Sequence, residues 1–168
     1  FIPRPSHADY TAFCKYKGYQ DYRGGGHFSG RLTAPLVAAG AIVETSLKEK
    51  NIHIGTHVSY LGGLSDKRID KESEVLSLNE SSIPTINPEI WKKMQSYISE
   101  IASQGDSIGG ITETAIYGVP SGIGEPWFDG IESIISRAIY GIPAIKGVEF
   151  GLGFGFANGT GSTLNDTL

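Results

Sequence analysis

The sequence predicts an α+β fold, or an α/β fold with a mixed sheet, on three observations. Apolar residues recur at helical spacing in three segments, and a stretch of strict alternation lies between the first two. The connections between them are rich in glycine, with 23 in 168 residues. The glycines follow no fixed period, which excludes collagen-like and solenoid arrangements. One domain is expected at this length, and 39% apolar content is enough for a core.

The elements follow in order. Arg4-Pro5-Ser6-His7-Ala8-Asp9-Tyr10 is succeeded by Asp21-Tyr22-Arg23-Gly24-Gly25-Gly26-His27-Phe28-Ser29-Gly30-Arg31, just ahead of a predicted helix. Glycine lets a backbone approach an anion closely, a helix start offers unpaired N–H groups, and arginine presents a fork of donors matched to phosphate. Read this way, the segment is a phosphate or other oxyanion site with a histidine beside it. A glycine-rich turn, a capped helix and a few solvated arginines fit the same spacing.

Ser29 is placed to cap a helix from about Gly30 to about Lys48. Leu36, Val37, Ala41, Ile42 and Leu47 give it a broad face that should be buried, and Pro35 should loosen or kink its start. From Asn51 to Tyr60 the chain alternates, with Ile52, Ile54, Val58 and Tyr60 opposite His53, His57 and Ser59. This is the pattern of a half-buried strand. The two histidines would stand about 13 Å apart on it, too far to share an ion, so they read as surface or structural residues and no metal site is expected. Residues 62–86, which include the mixed charges of Ser65 to Glu72, read as an exposed variable loop or short helix.

Asn87-Pro88-Glu89 combines a cap, a first-position proline and a first-turn acid. Ile90, Trp91, Met94, Tyr97, Ile98 and Ile101 then repeat at helical spacing as a core or subunit-interface face, and Gly105 ends the run. A strand is predicted around Ile108 to Val119, a loop at Pro120 to Pro126, a helix capped by Asp129 and reaching Ile139, and a strand over Ala144 to Phe150. The tail from Gly151 is glycine-rich. Neither it nor Gly24 to Gly26 matches a dinucleotide fingerprint, and no P-loop is present.

A net charge of −4 with only 19% charged residues argues against non-specific nucleic-acid or anionic-membrane binding. Cys14 is the sole cysteine, so no internal disulfide forms, and its aromatic neighbours suggest a packed residue. No apolar run of membrane-spanning length and no leader is seen, so a cytoplasmic location is expected.

The blocks taken together resemble chorismate synthase. Arg4 to Tyr10 is similar to the family's R-P-G/S-H-A-D block, and Arg23 to Arg31 to its R-G-G-G-x-x-S-x-R block. Gly105-Asp-Ser-Ile-Gly-Gly110, Pro120-Ser-Gly-Ile-Gly-Glu-Pro-Trp-Phe-Asp129 and Ile142-Pro-Ala-Ile-Lys-Gly-Val-Glu-Phe-Gly151 resemble three further blocks in family order. Gly161 to Asp166 resembles a divergent G-S-x-x-N-D.

The resemblance implies a β-α-β sandwich and a lyase of aromatic amino acid biosynthesis, the last common step of the shikimate pathway. The reaction would convert 5-enolpyruvylshikimate 3-phosphate to chorismate and phosphate by 1,4-anti elimination. It would need reduced FMN although it is redox-neutral overall, with the flavin reduced by an intrinsic NADPH activity or a separate reductase. A homotetramer is implied, with no nucleic-acid or membrane partner. By position, His7 would sit by the flavin and handle a proton, a task suited to an imidazole. Arg4, Ser29 and Arg31 would contact substrate, Arg4 on the phosphate side. His27, Phe28, Ser29 and Gly30 would line FMN with His7. Asp9 would orient the His7 loop through hydrogen bonds rather than act as a base.

Ser6, His27 and Phe28 depart from the glycine, arginine and small residue that many relatives carry there. The family's G-E-S-H-G block and its R-H-D acid are absent, and the chain opens on Phe1-Ile2-Pro3. Residues 1–168 are therefore expected to be the central part of a single chorismate synthase domain, weak or inactive alone. The alternative is a non-catalytic FMN- or phosphate-binding fragment.

Overall fold

The computed structural model describes residues 1–165. It divides into two compact units, one formed by residues 1–40 with the chain from Gly122 onward, the other by Ala41–Ser121. Asp166, expected to end the tail block, lies outside the described residues.

In the Ala41–Ser121 unit, β1 (His53–Leu61), β2 (Leu64–Ser65) and β3 (Gly110–Tyr117) form an antiparallel sheet in the order β2-β1-β3. The fold is α+β. This sheet is wholly antiparallel, so it does not take the mixed form that remained open from sequence. The pairing of β1 with β3 runs from His53 opposite Tyr117 to Val58 opposite Thr112, then slips by a bulge so that Tyr60 faces Ile111. Helix α3 (Glu72–Glu80) buries Val75 over β1 at Gly55, where an added Cβ would lie 2.8 Å from Val75 Cγ1. Helix α4 (Pro88–Ser103) starts as predicted: the Asn87 side chain accepts the Glu89 N–H at 3.0 Å. Met94 is fully buried, and the rest of the predicted apolar face is half-buried around it.

The other unit carries α1 (Asp9–Lys15), the start of α2 (Thr33–Lys48), α5 (Ile131–Ile139) and α6 (Gly161–Leu164), joined by 3-10 turns. One turn spans Arg23–Phe28 and another Gly30–Leu32. Pro35 therefore falls in the first turn of α2, where its missing N–H costs nothing, and the loosened start takes the form of the 3-10 turn before it.

Several expectations are corrected. Helix α2 buries no residue, and Leu36, Val37 and Ile42 are 63%, 70% and 75% exposed, because the described residues supply no surface against that face. On β1 the buried residues are Gly55 and His57, not the apolar set: α3 closes on Gly55, and both ring nitrogens of His57 are met by carboxylates. Residues 62–86 are largely exposed, yet they send the Asp66 and Val75 side chains and Thr85 inside. Asp129 caps nothing; it ends a 3-10 turn, and Gly130 precedes α5. Ala144 to Phe150 is not a strand: Ala144 sits at φ +71°, and no strand among the described residues pairs with the segment. Cys14 is exposed, because the short α1 buries only Asp9 and Ala12 along one stripe. No helix among the described residues is long and apolar enough to cross a membrane.

Candidate functional site

The N-terminal segments are folded by two local devices. The first is a knot around Asp9, which opens α1 and is buried. Arg4 donates to it three times: its backbone N–H reaches Oδ2 at 3.0 Å, Nε reaches Oδ2 at 2.7 Å and Nη2 reaches Oδ1 at 2.9 Å. His7 Nδ1 lies 2.8 Å from Asp9 Oδ1. The hydrogen bonds from Arg4 hold the Asp9 carboxyl far below the usual carboxylate range and raise the Arg4 guanidinium in return. The hydrogen-bonded link from Asp9 to the His7 loop expected from sequence is present.

The second device is the glycine run. Gly24, Gly25 and Gly26 all have positive φ, at 62°, 83° and 49°, a path closed to most side chains. It brings Gly25 beneath the knot, where an added Cβ would lie 3.1 Å from His7 Nε2 and 3.5 Å from Arg4 Nη2. One residue earlier, the Gly24 carbonyl accepts Arg31 Nη2 at 3.1 Å. Arg4 and His7 on one side and Arg31 on the other thus meet the same three-glycine backbone.

Of the other site residues, Ser29 caps the Gly30–Leu32 turn, its hydroxyl accepting the Arg31 N–H at 3.4 Å. His27 and Phe28 are exposed at the end of the glycine turn, outside the knot; Ser29 is half-buried and Gly30 exposed. Arg23 is tied back to Asp21: its N–H and Nε both reach Oδ1 at 3.0 Å, and Nη2 reaches Oδ2 at 3.2 Å. That pairing pulls Asp21 down and pushes Arg23 up. Each arginine fork is therefore partly engaged before any ligand arrives. A phosphate reaching Arg4 would meet Nη1, the corner that Asp9 does not use.

A second histidine–carboxylate cluster, in the sheet unit, escaped the sequence reading. His57 Nδ1 lies 3.1 Å from Asp66 Oδ2, and Nε2 lies 2.9 Å from Glu113 Oε2. Asp66 also accepts the Ile86 and Asn87 N–H groups; Glu113 accepts the Ile69 N–H and Arg68 Nε. Burial pushes Glu113 up, but His57, Ile69 and Arg68 together bring it below the usual glutamate range. Among the described residues no group of three or more histidine, cysteine or acidic side chains is arranged to hold a metal ion.

A family model described as chorismate synthase matches residues 1–168. The chorismate synthase of Pyrococcus abyssi is 45% identical over 164 residues, covering 98% of this chain and 45% of that protein. That of Aeropyrum pernix is 40% identical over 169 residues, covering 99% and 44%. A crystal structure of chorismate synthase superposes with a TM-score of 0.82 at 33% identity, over 95% of this chain and 52% of the other. The chain spans less than half the length of these curated relatives.

Proposed function

Because the chain belongs to the chorismate synthase family, we propose that it supplies the central part of a lyase that converts 5-enolpyruvylshikimate 3-phosphate to chorismate and phosphate. The observation that carries this reading is the meeting of His7, Arg4 and Arg31 on one glycine backbone. A 1,4-elimination must remove a proton from C6 and let phosphate leave with the electron pair of its C–O bond. The arginines offer fixed positive charge to the departing phosphate, a stabilisation that grows as negative charge develops. His7 offers a ring nitrogen for proton transfer.

The residues present fit the reduced FMN that the reaction requires. Three successive glycines let the backbone approach closely where a Cβ at Gly25 would crowd His7 and Arg4, and His27, Phe28, Ser29 and Gly30 follow directly, where they would line the flavin with His7. Held there, reduced FMN would supply electron density to the departing phosphate and assistance in removing the C6 proton. Ser29 and Arg31 would hold the substrate beside it. We assign the protein to a soluble cytoplasmic homotetramer, with the flavin reduced by NADPH or a reductase.

The test is an anaerobic assay with the phosphorylated substrate and photoreduced FMN. The full-length protein should release chorismate and phosphate in equal amounts. Residues 1–168 alone, which span less than half the length of the curated relatives, should turn over at least about 100-fold more slowly, the loss that one acid–base group accounts for. Release of phosphate without chorismate would overturn the assignment.

A further inference from the structure

We propose that Asp9 is the positioning residue that fixes His7 as its Nδ1–H tautomer and so makes Nε2 the atom that exchanges a proton; this rests on the proton-transfer role given to His7 above. The argument begins with what Asp9 can and cannot do. Three hydrogen bonds from Arg4 keep it ionised, so it has no proton to donate. At 2.8 Å from an ionised carboxylate oxygen, His7 Nδ1 is favoured as the protonated nitrogen, and Arg4 Nη2, which lies 3.3 Å from Nδ1 and 3.4 Å from Nε2 and can only donate, is then left to face the Nε2 lone pair. A neutral imidazole has one N–H, and with Nδ1 carrying it, the lone pair is on Nε2. Nε2 is the nitrogen that borders Gly25, where an added Cβ would lie only 3.1 Å from it; Arg4 Nη2 is 3.4 Å away, and the His7 side chain is still 23% exposed. Arg4 completes the arrangement by filling the rest of the carboxylate, so Asp9 cannot rotate away without breaking a bidentate pair.

The arrangement makes a sharp distinction between two substitutions. In Asp9→Asn the single amide oxygen is claimed by the Arg4 donors, and the amide N–H group then faces Nδ1. The ring must take the Nε2–H tautomer, with its lone pair directed inward. In Asp9→Ala nothing orients the ring at all.

The experiment is nitrogen-15 NMR of the histidine rings in the full-length protein, with the His7 signals identified by their loss in His7→Gln. The unmodified protein should show the single-proton form of His7 protonated at Nδ1. Asp9→Asn should show protonation at Nε2, with kcat lowered about 100-fold or more and KM changed less than about threefold. An Nε2–H tautomer in the unmodified protein overturns the role of Asp9, whatever the activity. A tautomer that flips in Asp9→Asn with kcat unchanged instead overturns the use of His7 in proton transfer and leaves the positioning by Asp9 standing.

Discussion

His57→Leu tests whether the buried histidine of the sheet unit is a structural cation. The His57 and Asp66 side chains are wholly buried, and Glu113 is 21% exposed. Leucine fills much of the volume but leaves two carboxylates facing each other without the ring between them. Removing one partner of a buried ion pair costs roughly 3–5 kcal/mol. Backbone N–H groups from Ile86, Asn87 and Ile69 still serve the two acids, and Glu113 reaches water, so the lower end applies, about 3 kcal/mol. At this chain length that is a fall in Tm of ~6–12 °C.

Urea unfolding gives the global loss. Amide exchange at Ile69 and Ile86 gives the local one, because these N–H groups bond to the affected carboxylates. Adding Glu113→Gln should return about 1 kcal/mol by removing one of the facing charges. A loss below about 1 kcal/mol in His57→Leu, or no recovery in the double variant, would refute the cation reading.

Gly25→Ala should lower stability by about 1–3 kcal/mol through left-handed strain, and kcat by at least about tenfold, because the methyl group meets His7 Nε2; urea unfolding and turnover read the two separately. Glu74 is drawn down to about 2 by the Lys67 ammonium and by the N–H groups of Asp70 and Lys71. Its folded value lies below the ordinary 4.5, so the stability it contributes is present above pH 4.5 and lost as pH falls towards 2. The difference in Tm between the unmodified protein and Glu74→Gln should close over that window in a pH series. Gly55→Val should overpack the contact between β1 and α3 at Val75 and cost about 1–3 kcal/mol in urea unfolding.

What could be read from sequence was what is decided locally. Asn87-Pro88-Glu89 starts α4 because the cap, the proline and the acid act within one turn. The knot of Arg4, His7 and Asp9 closes over a separation of five residues, so the pattern of types already contained it. Features decided across the chain were not legible. The alternation of β1 correctly indicated a strand, but which face turns inward depends on Val75 packing at Gly55 and on Glu113, 56 residues from His57. Ala144 to Phe150 has strand composition, yet a strand exists only where a neighbour pairs with it. The apolar face of α2 correctly marked a helix, but burial needs a surface that its own periodicity does not contain.

The two histidine–carboxylate clusters look alike as lists of residues and differ in the one respect that matters for chemistry. His57 has both ring nitrogens against carboxylates and no exposed surface, so any proton it carries is held on both sides and no ligand can reach it. His7 has one nitrogen against a carboxylate, while the other borders Gly25 and lies 3.4 Å from Arg4 Nη2, with the side chain 23% exposed. The first arrangement ties two strands and two loops together by pairing a buried ring with two carboxylates on both of its nitrogens. The second keeps one nitrogen clear of any carboxylate on a partly exposed ring, as the proposed proton transfer requires. Two residue types in contact therefore do not define a catalytic pair. What distinguishes them is what the two nitrogens face: both nitrogens of His57 face buried carboxylates, whereas His7 Nε2 faces Gly25 and the Arg4 guanidinium, 3.4 Å from Nη2, and no carboxylate.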